Sequence, residues 1–212
     1  MKVEDLNFRD MYKNICLLKD PKIVSPEEMT AVFEFVPEEK INAWIVYCHI
    51  DEKGYLVFFV LAGALISGGK VKIFPCGYKK FLTIPRDKIQ QSEILTVTED
   101  FSEAFKDKIE IINDVCAVPE TKEKTRFVKS IDNFRHPSFP DDVVVYIAGD
   151  DKNFVPAFVR CINIEENIFE GELLTDVPTG NLKAGDLIKF GIGDFAGESF
   201  LCNIGGQCLE KV

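Results

Sequence analysis

Two apolar runs, residues 41–50 and 55–62, flank the polar, glycine-ended tetrapeptide Asp51-Glu52-Lys53-Gly54, which predicts two buried strands joined as a hairpin. The next apolar stretch is broken by Ser67-Gly68-Gly69. It resumes as Lys70-Val71-Lys72-Ile73-Phe74, whose period-two alternation predicts a half-buried strand, and residues 79–84 read the same way. Ser25-Pro26-Glu27-Glu28 supplies an N-cap hydroxyl, a proline at the first helical position and two acids in the first turn. A short helix is therefore expected from 26 towards 34, ending ahead of Pro37. Thr98, followed by Phe101, Ala104, Phe105 and Ile109, has the cap and the apolar spacing of an amphipathic helix. Residues 110–118 then read as β-rich.

Between 119 and 126 the chain turns charged and loses its apolar positions, the composition of a linker or exposed connection. The boundary is placed there. The expected organisation is an α+β domain over 1–125, with a mixed or antiparallel sheet and two or more helices, and a smaller mostly-β domain over 126–212. In the second, His136-Pro137-Ser138-Phe139-Pro140-Asp141-Asp142 reads as a rigid approach to a buried strand at 143–148. Residues 154–164 and 168–174 form a second hairpin around Glu165-Glu166-Asn167, where Asn167 suits a positive φ. A further strand is expected at 186–190, and the glycine-broken tail 200–212 is apolar enough to dock.

Composition narrows the function classes. With 46% hydrophobic and 28% charged residues the chain is globular. Eighteen Phe against one Trp and five Tyr place most of the aromatic area in a side chain without a polar handle, so packing is its default role. A formal charge of −10 opposes nucleic acid and anionic membranes, whose binding rests on Lys and Arg, and leaves a basic protein partner open. The seven cysteines contain no Cys-x-x-Cys pair, and several lie within apolar runs, as buried thiols do in a reducing cytoplasm. Residues 1–13 lack the pattern of a secretory signal, and the run 55–67 is too short to span about 30 Å of hydrocarbon.

No catalytic motif is legible. Gly69-Lys70 after Ala64 imitates a phosphate loop, but Val71 offers no hydroxyl for magnesium and the following alternation predicts a strand. Gly191-x-Gly193 with Gly197 has the wrong spacing for a dinucleotide turn and reads as a Gly-rich turn. His49 closes an apolar strand beside Cys48, and adjacent strand residues point to opposite faces. His136 precedes Pro137 and reads as a loop residue. The acidic doublets Asp141-Asp142, Asp150-Asp151 and Glu165-Glu166 fall where turns or strand starts are expected, which favours solvated acids. No cofactor or metal site follows from these patterns. Asp141, Asp142, Asp150 and Asp151 are candidate positions for binding a basic partner.

Phe158-Val159-Arg160, Ile168-Phe169-Glu170-Gly171-Glu172-Leu173-Leu174, Pro178 and Lys183-Ala184-Gly185-Asp186-Leu187-Ile188-Lys189-Phe190 together resemble the bacterial YegJ-like family, over residues 141–195. That family, of unknown function, closes the stretch with an acid and a tryptophan, where Asp194-Phe195 stands here. The resemblance implies a small, strongly bent, barrel-like β unit and relates it to immunity-protein-like modules; it implies no chemistry. From the residues alone, Gly171 suits a bulge or close backbone approach, and Gly185-Asp186 suits a tight turn. The leading expectation is a non-enzymatic protein-interaction module of a bacterial cytoplasm. An enzyme assembled from distant residues such as Cys48, Cys76, His136 and the acids, and a sensor with a Phe-lined cavity between the sheet of the first domain and its helices, stay open beside it.

Overall fold

The computed structural model describes residues 1–34, 37, 40–77, 81–96, 101–149, 153–178, 181–195 and 197–204. The chain divides into two compact units, Met1–Ala117 and Val118–Val212. The division falls ahead of the charged stretch, not inside or after it as its composition suggested.

In the first unit, α1 (Phe8–Met11), β1 (Ile15–Leu18), α2 (Pro26–Val32), β2 (Ala43–Ile50), β3 (Leu56–Ser67), β4 (Lys70–Pro75), β5 (Thr83–Pro85), β6 (Ile94–Thr96) and α3 (Lys106–Val115) follow in order. The strands form one antiparallel sheet, β4-β3-β2-β1-β6, with β5 paired to β3. The expected hairpin is present, and Gly68-Gly69, both at positive φ, turn β3 into β4. Helix α2 starts as expected: the Ser25 hydroxyl accepts from the Glu28 N–H and the Glu28 carboxylate accepts from the Ser25 N–H.

Every residue of β2 is buried because both faces of the sheet are covered. Trp44, Val46, Cys48, Phe58 and Val60 pack with Phe8, Met11 and Val32 on one face. Ile45, Tyr47, Phe59 and Leu61 pack with Phe105, Ile112 and Cys116 on the other. Two-sided burial erases alternation and leaves a continuous apolar run. The β-rich expectation for 110–118 is wrong: most of it belongs to α3. Ile112 and Cys116 repeat at the helical interval and bury against the sheet, so tertiary packing overrides the β-branched propensity. The cap expected at Thr98 and the lysines at 79 and 80 lie outside the described residues.

The second unit holds α4 (Glu120–Arg126), β7 (Arg135–His136), β8 (Phe139–Ala148), β9 (Phe154–Glu165), β10 (Ile168–Leu173), β11 (Leu187–Phe195) and β12 (Glu198–Asn203), with a 3-10 turn at Lys129–Phe134. Strands β8 to β12 pair in sequence, antiparallel, and β12 returns parallel to β8 at Cys202 and Tyr146, closing a five-stranded barrel. The α+β class and the barrel-like form are as expected. Val143, Val145, Val159, Cys161, Phe169 and Phe190 fill the interior. At the β9–β10 turn both Glu166 and Asn167 have positive φ, as a two-residue hairpin requires.

Three expectations need correction here. The supposed linker 119–126 is mostly the helix α4, and Arg126 within it is fully buried. Gly191 and Gly193 lie within β11 and not in a turn; a Cβ on Gly191 would meet the Ile204 side chain at 3.0 Å. His136 belongs to β7 and not to a loop.

Candidate functional site

Of the acidic residues singled out as partner contacts, Asp141 and Asp142 are not where their sequence context put them. Asp141 and Asp142 sit in β8 and are 0% and 6% exposed, so neither offers its charge to an outside molecule. Asp150 and Asp151 lie outside the described residues. Arg126 grips Asp141 with both arms, Nε to Oδ1 at 2.9 Å and Nη2 to Oδ2 at 2.8 Å, and Lys122 Nζ adds a third contact at 3.1 Å. Burial alone pushes the Asp141 carboxyl up, but Arg126 and Lys122 outweigh it and hold the group below its ordinary range. Asp142 takes the same two-armed contact from Arg160, its cross-strand neighbour, at 2.7 and 2.9 Å. Arg135 donates to the carbonyls of Pro140, Thr125 and Val128, tying the end of α4 to the barrel.

Of the residues offered for an assembled enzyme site, the two cysteines are buried thiols. Cys48 and Cys76 lie in the apolar core of the first unit, where burial pushes the Cys48 thiol far up and the Cys76 thiol to about 11. Cys48 and His49 face opposite ways, with His49 beside the rings of Tyr12 and Tyr47. His136, in the second unit, uses Nδ1 to accept from the N–H groups of Ser138 and Phe139, both at 3.2 Å. Among the described residues no three His, Cys, Asp or Glu converge as metal ligands, and no helix is long and apolar enough to cross a membrane.

The barrel instead carries a feature that sequence reading assigned to the core. A groove of about 730 Å³ on its outer surface is lined by Asn133, Phe134, Val144, Tyr146, Phe154 and Phe200, with Glu198 and Ser199 at one end. Strand registry builds it. Val143, Val145 and Ile147 point inward, so Val144 and Tyr146 face out. Phe154 is paired with Ala148, and Cys202, level with Tyr146, places Phe200 two residues before it on β12. Phe200 meets Tyr146 edge-on at 5.9 Å and Phe154 at 6.3 Å. Phe154 stays 43% exposed and Phe158, on the same outer face of β9, 49%. Phe154 and Phe158 thus leave close to half of their surface in water. The signal was present as alternation: Phe154, Pro156 and Phe158 interleave with Val155, Ala157 and Val159, but the unbroken apolar character of the run masked it.

The charge of this unit as a whole is unbalanced. Residues Val118–Val212 carry sixteen acids and ten basic residues. Of the basic residues, Lys122, Lys124, Arg126, Arg135, Arg160 and Lys183 are already paired to carboxylates of the unit itself. Glu165, Glu166, Glu172, Asp186, Asp194 and Glu198 remain exposed. Comparison with protein-family models, with curated proteins and with solved structures returns no match. Geometry and charge alone therefore carry the functional reading.

Proposed function

We propose that this protein is a non-catalytic interaction module whose C-terminal barrel binds an extended segment of a partner protein, with apolar side chains in the aromatic groove and basic residues beside them. The observation that carries this reading is the groove itself: Phe200 touches both Tyr146 and Phe154, and these two stay open to solvent on a unit with an ample core of its own. Tyr and Phe at a solvent-facing depression supply rigid apolar area at small entropic cost, the property of interface anchors. The exposed acid excess and Glu198 at the groove's end favour a cationic partner and disfavour nucleic acid. The binding charge thus comes from Glu198 in the groove's lining and the unit's other exposed acids, and not from the buried Asp141 or Asp142.

The resemblance of residues 141–195 to the YegJ-like family is the ground for setting this module in a bacterial cytoplasm, and it implies no binding chemistry. Among the described residues six cysteines are buried free thiols, which suits that reducing compartment. A second reading, a small-molecule sensor, is favoured by the groove volume, which lies within the roughly 300–1,000 Å³ of ligand sites.

Peptide-array binding with the purified full chain separates the two. The first reading expects selection of segments that alternate apolar and basic residues, with affinity lost in Phe154→Ala and Phe200→Ala and reduced by salt. Selection of no segment, together with a metabolite that raises the melting temperature of wild type but not of these variants, would replace it by the second.

A further inference from the structure

Helix α4 has the sequence Glu-Thr-Lys-Glu-Lys-Thr-Arg, without one apolar residue, yet Thr125 and Arg126 are 0% exposed. Its attachment is polar: Arg126 and Lys122 on Asp141, and the Arg135 guanidinium on the carbonyls of Thr125 and Val128. The strands beneath it are held by an apolar interior to which the helix adds only methylene stems and methyl groups. A buried ion pair contributes little net stability, because desolvating the charges offsets their attraction. The helix can thus open at less cost than the apolar interior beneath it. Arg135, which fastens the end of α4, adjoins Phe134, and Asn133 and Phe134 form one wall of the groove.

We propose that α4 is an ionic latch that opens and recloses while the barrel stays folded, and that its closed state fixes the Asn133–Phe134 wall of the groove. The coupling to the groove rests on the binding reading above, whereas the latch does not. The groups facing Asp141 are Lys122, Glu123 and Arg126 from α4, Asp132 and Arg135 from the segment after it, Asp142 on its own strand, and Arg160 and Cys161 from β9. Four cations face four carboxylates. Neutralising Asp141 leaves a surplus positive charge under the helix, and the helix swings out to hydrate it.

The test is hydrogen exchange of the full chain by mass spectrometry, with Nile red as the apolar probe of the groove. Amides 123–128 are expected to exchange at least tenfold faster than interior amides of β9 in wild type. Asp141→Asn should speed them roughly tenfold further with β9 unchanged, and weaken Nile red binding several-fold. Lys122→Gln, which removes only a peripheral partner, should act in the same direction more weakly and stands in if Asp141→Asn does not fold. Phe154→Ala should abolish dye binding and leave the exchange of 123–128 as in wild type. Exchange of 123–128 at the β9 rate in wild type and both latch variants overturns the latch. Faster exchange with undiminished dye affinity in the latch variants overturns the coupling. Absence of dye binding to wild type refutes the groove reading and the coupling with it, while the exchange rates still decide the latch.

Discussion

Replacing Gly171 by alanine is the sharpest probe of how the barrel is closed. Gly171 lies in β10, opposite Cys161 on β9 and Ile188 on β11, at a register shift. A Cβ built there would fall 2.4 Å from Val159 Cγ1, 2.8 Å from the Arg160 carbonyl oxygen and 3.0 Å from Phe190 Cε1. Val159 and Phe190 are fully buried in the interior, and the carbonyl belongs to the strand backbone, so none of the three can yield independently. Overpacking of this kind costs about 1–3 kcal/mol, and a clash with backbone places it at the upper end. Alanine recovers about 0.5–1 kcal/mol through reduced chain entropy, which leaves a loss of about 2 kcal/mol. Gly191→Ala is the control, because its nearest contact at 3.0 Å is the tip of Ile204, a 49% exposed side chain free to swing aside. In a urea titration read by labelling of Cys161 and located by mass spectrometry, an m-value of about 1 kcal/mol per M converts the loss into a midpoint lowered by about 2 M for Gly171→Ala. Gly191→Ala should move by less than about 0.5 M on the same scale. Equal shifts for the two variants, or none for Gly171→Ala, would refute the reasoning.

Further measurements address the charged and capped positions. Asp141 is held below the usual carboxylate range, so its contribution is complete above the unfolded value of about 3.9 and is lost as pH falls through the lower folded value; acid titration of stability should steepen below pH ~4, and Asp141→Asn should remove that slope. Burial pushes the Cys161 thiol up to about 12, so its contribution is complete below the unfolded value of about 8.5 and fades as pH rises towards 12; Cys161→Ala should flatten the alkaline arm of the stability profile. Lys108 donates to the carbonyls of Leu61 and Cys76 from a 3% exposed position, and Lys108→Met, which takes the ammonium from the Cys76 carbonyl while the Leu61 carbonyl still accepts from the Cys76 N–H, should cost about 1–2 kcal/mol by Trp44 fluorescence in urea. Ser25→Ala removes the capping hydroxyl of α2 and should cost about 1 kcal/mol in the same assay.

What could be read from the sequence was what local chemistry decides. The Ser25-Pro26 start, the Asp51–Gly54 turn, the Gly68-Gly69 turn and the Asn167 hairpin each depend on a few adjacent residues, and each came out as expected. Gly171 was legible as a close approach because a glycine inside a strand pattern has few other reasons to be there. The failures lie where a distant partner changes what a residue means. Arg126 marks a linker only until Asp141, fifteen positions away, neutralises it, and Asp141-Asp142 mark a solvated turn only until Arg126, Lys122 and Arg160 cover them. The groove was hidden for a related reason: an outward aromatic on a strand cannot be told from an inward one until closure of the barrel fixes which face is inside.

Around its apolar interior the second unit departs in two places from the usual placement of side chains, and that inversion bears on function more than any single residue. In the N-terminal sheet both faces are covered, and the aromatic residues Trp44, Phe58 and Phe59 are consumed by the core. In the barrel, charges go inside, at Arg126 and Asp141, while Tyr146, Phe154 and Phe158 stay substantially outside. Burying an ion pair yields less stability than an apolar pair of similar volume, and each Å² of aromatic surface left in water forgoes about 25 cal/mol. Exchanging the two sets would stabilise an isolated barrel, so folding alone does not explain the arrangement. Binding explains both halves of it: exposed rings gain their burial when a partner covers them, and an ionically fastened helix can adjust beside them without disturbing the interior. If Phe154→Ala and Phe158→Ala bind every array segment as wild type does, the outward rings have no such role and this account of the inversion fails.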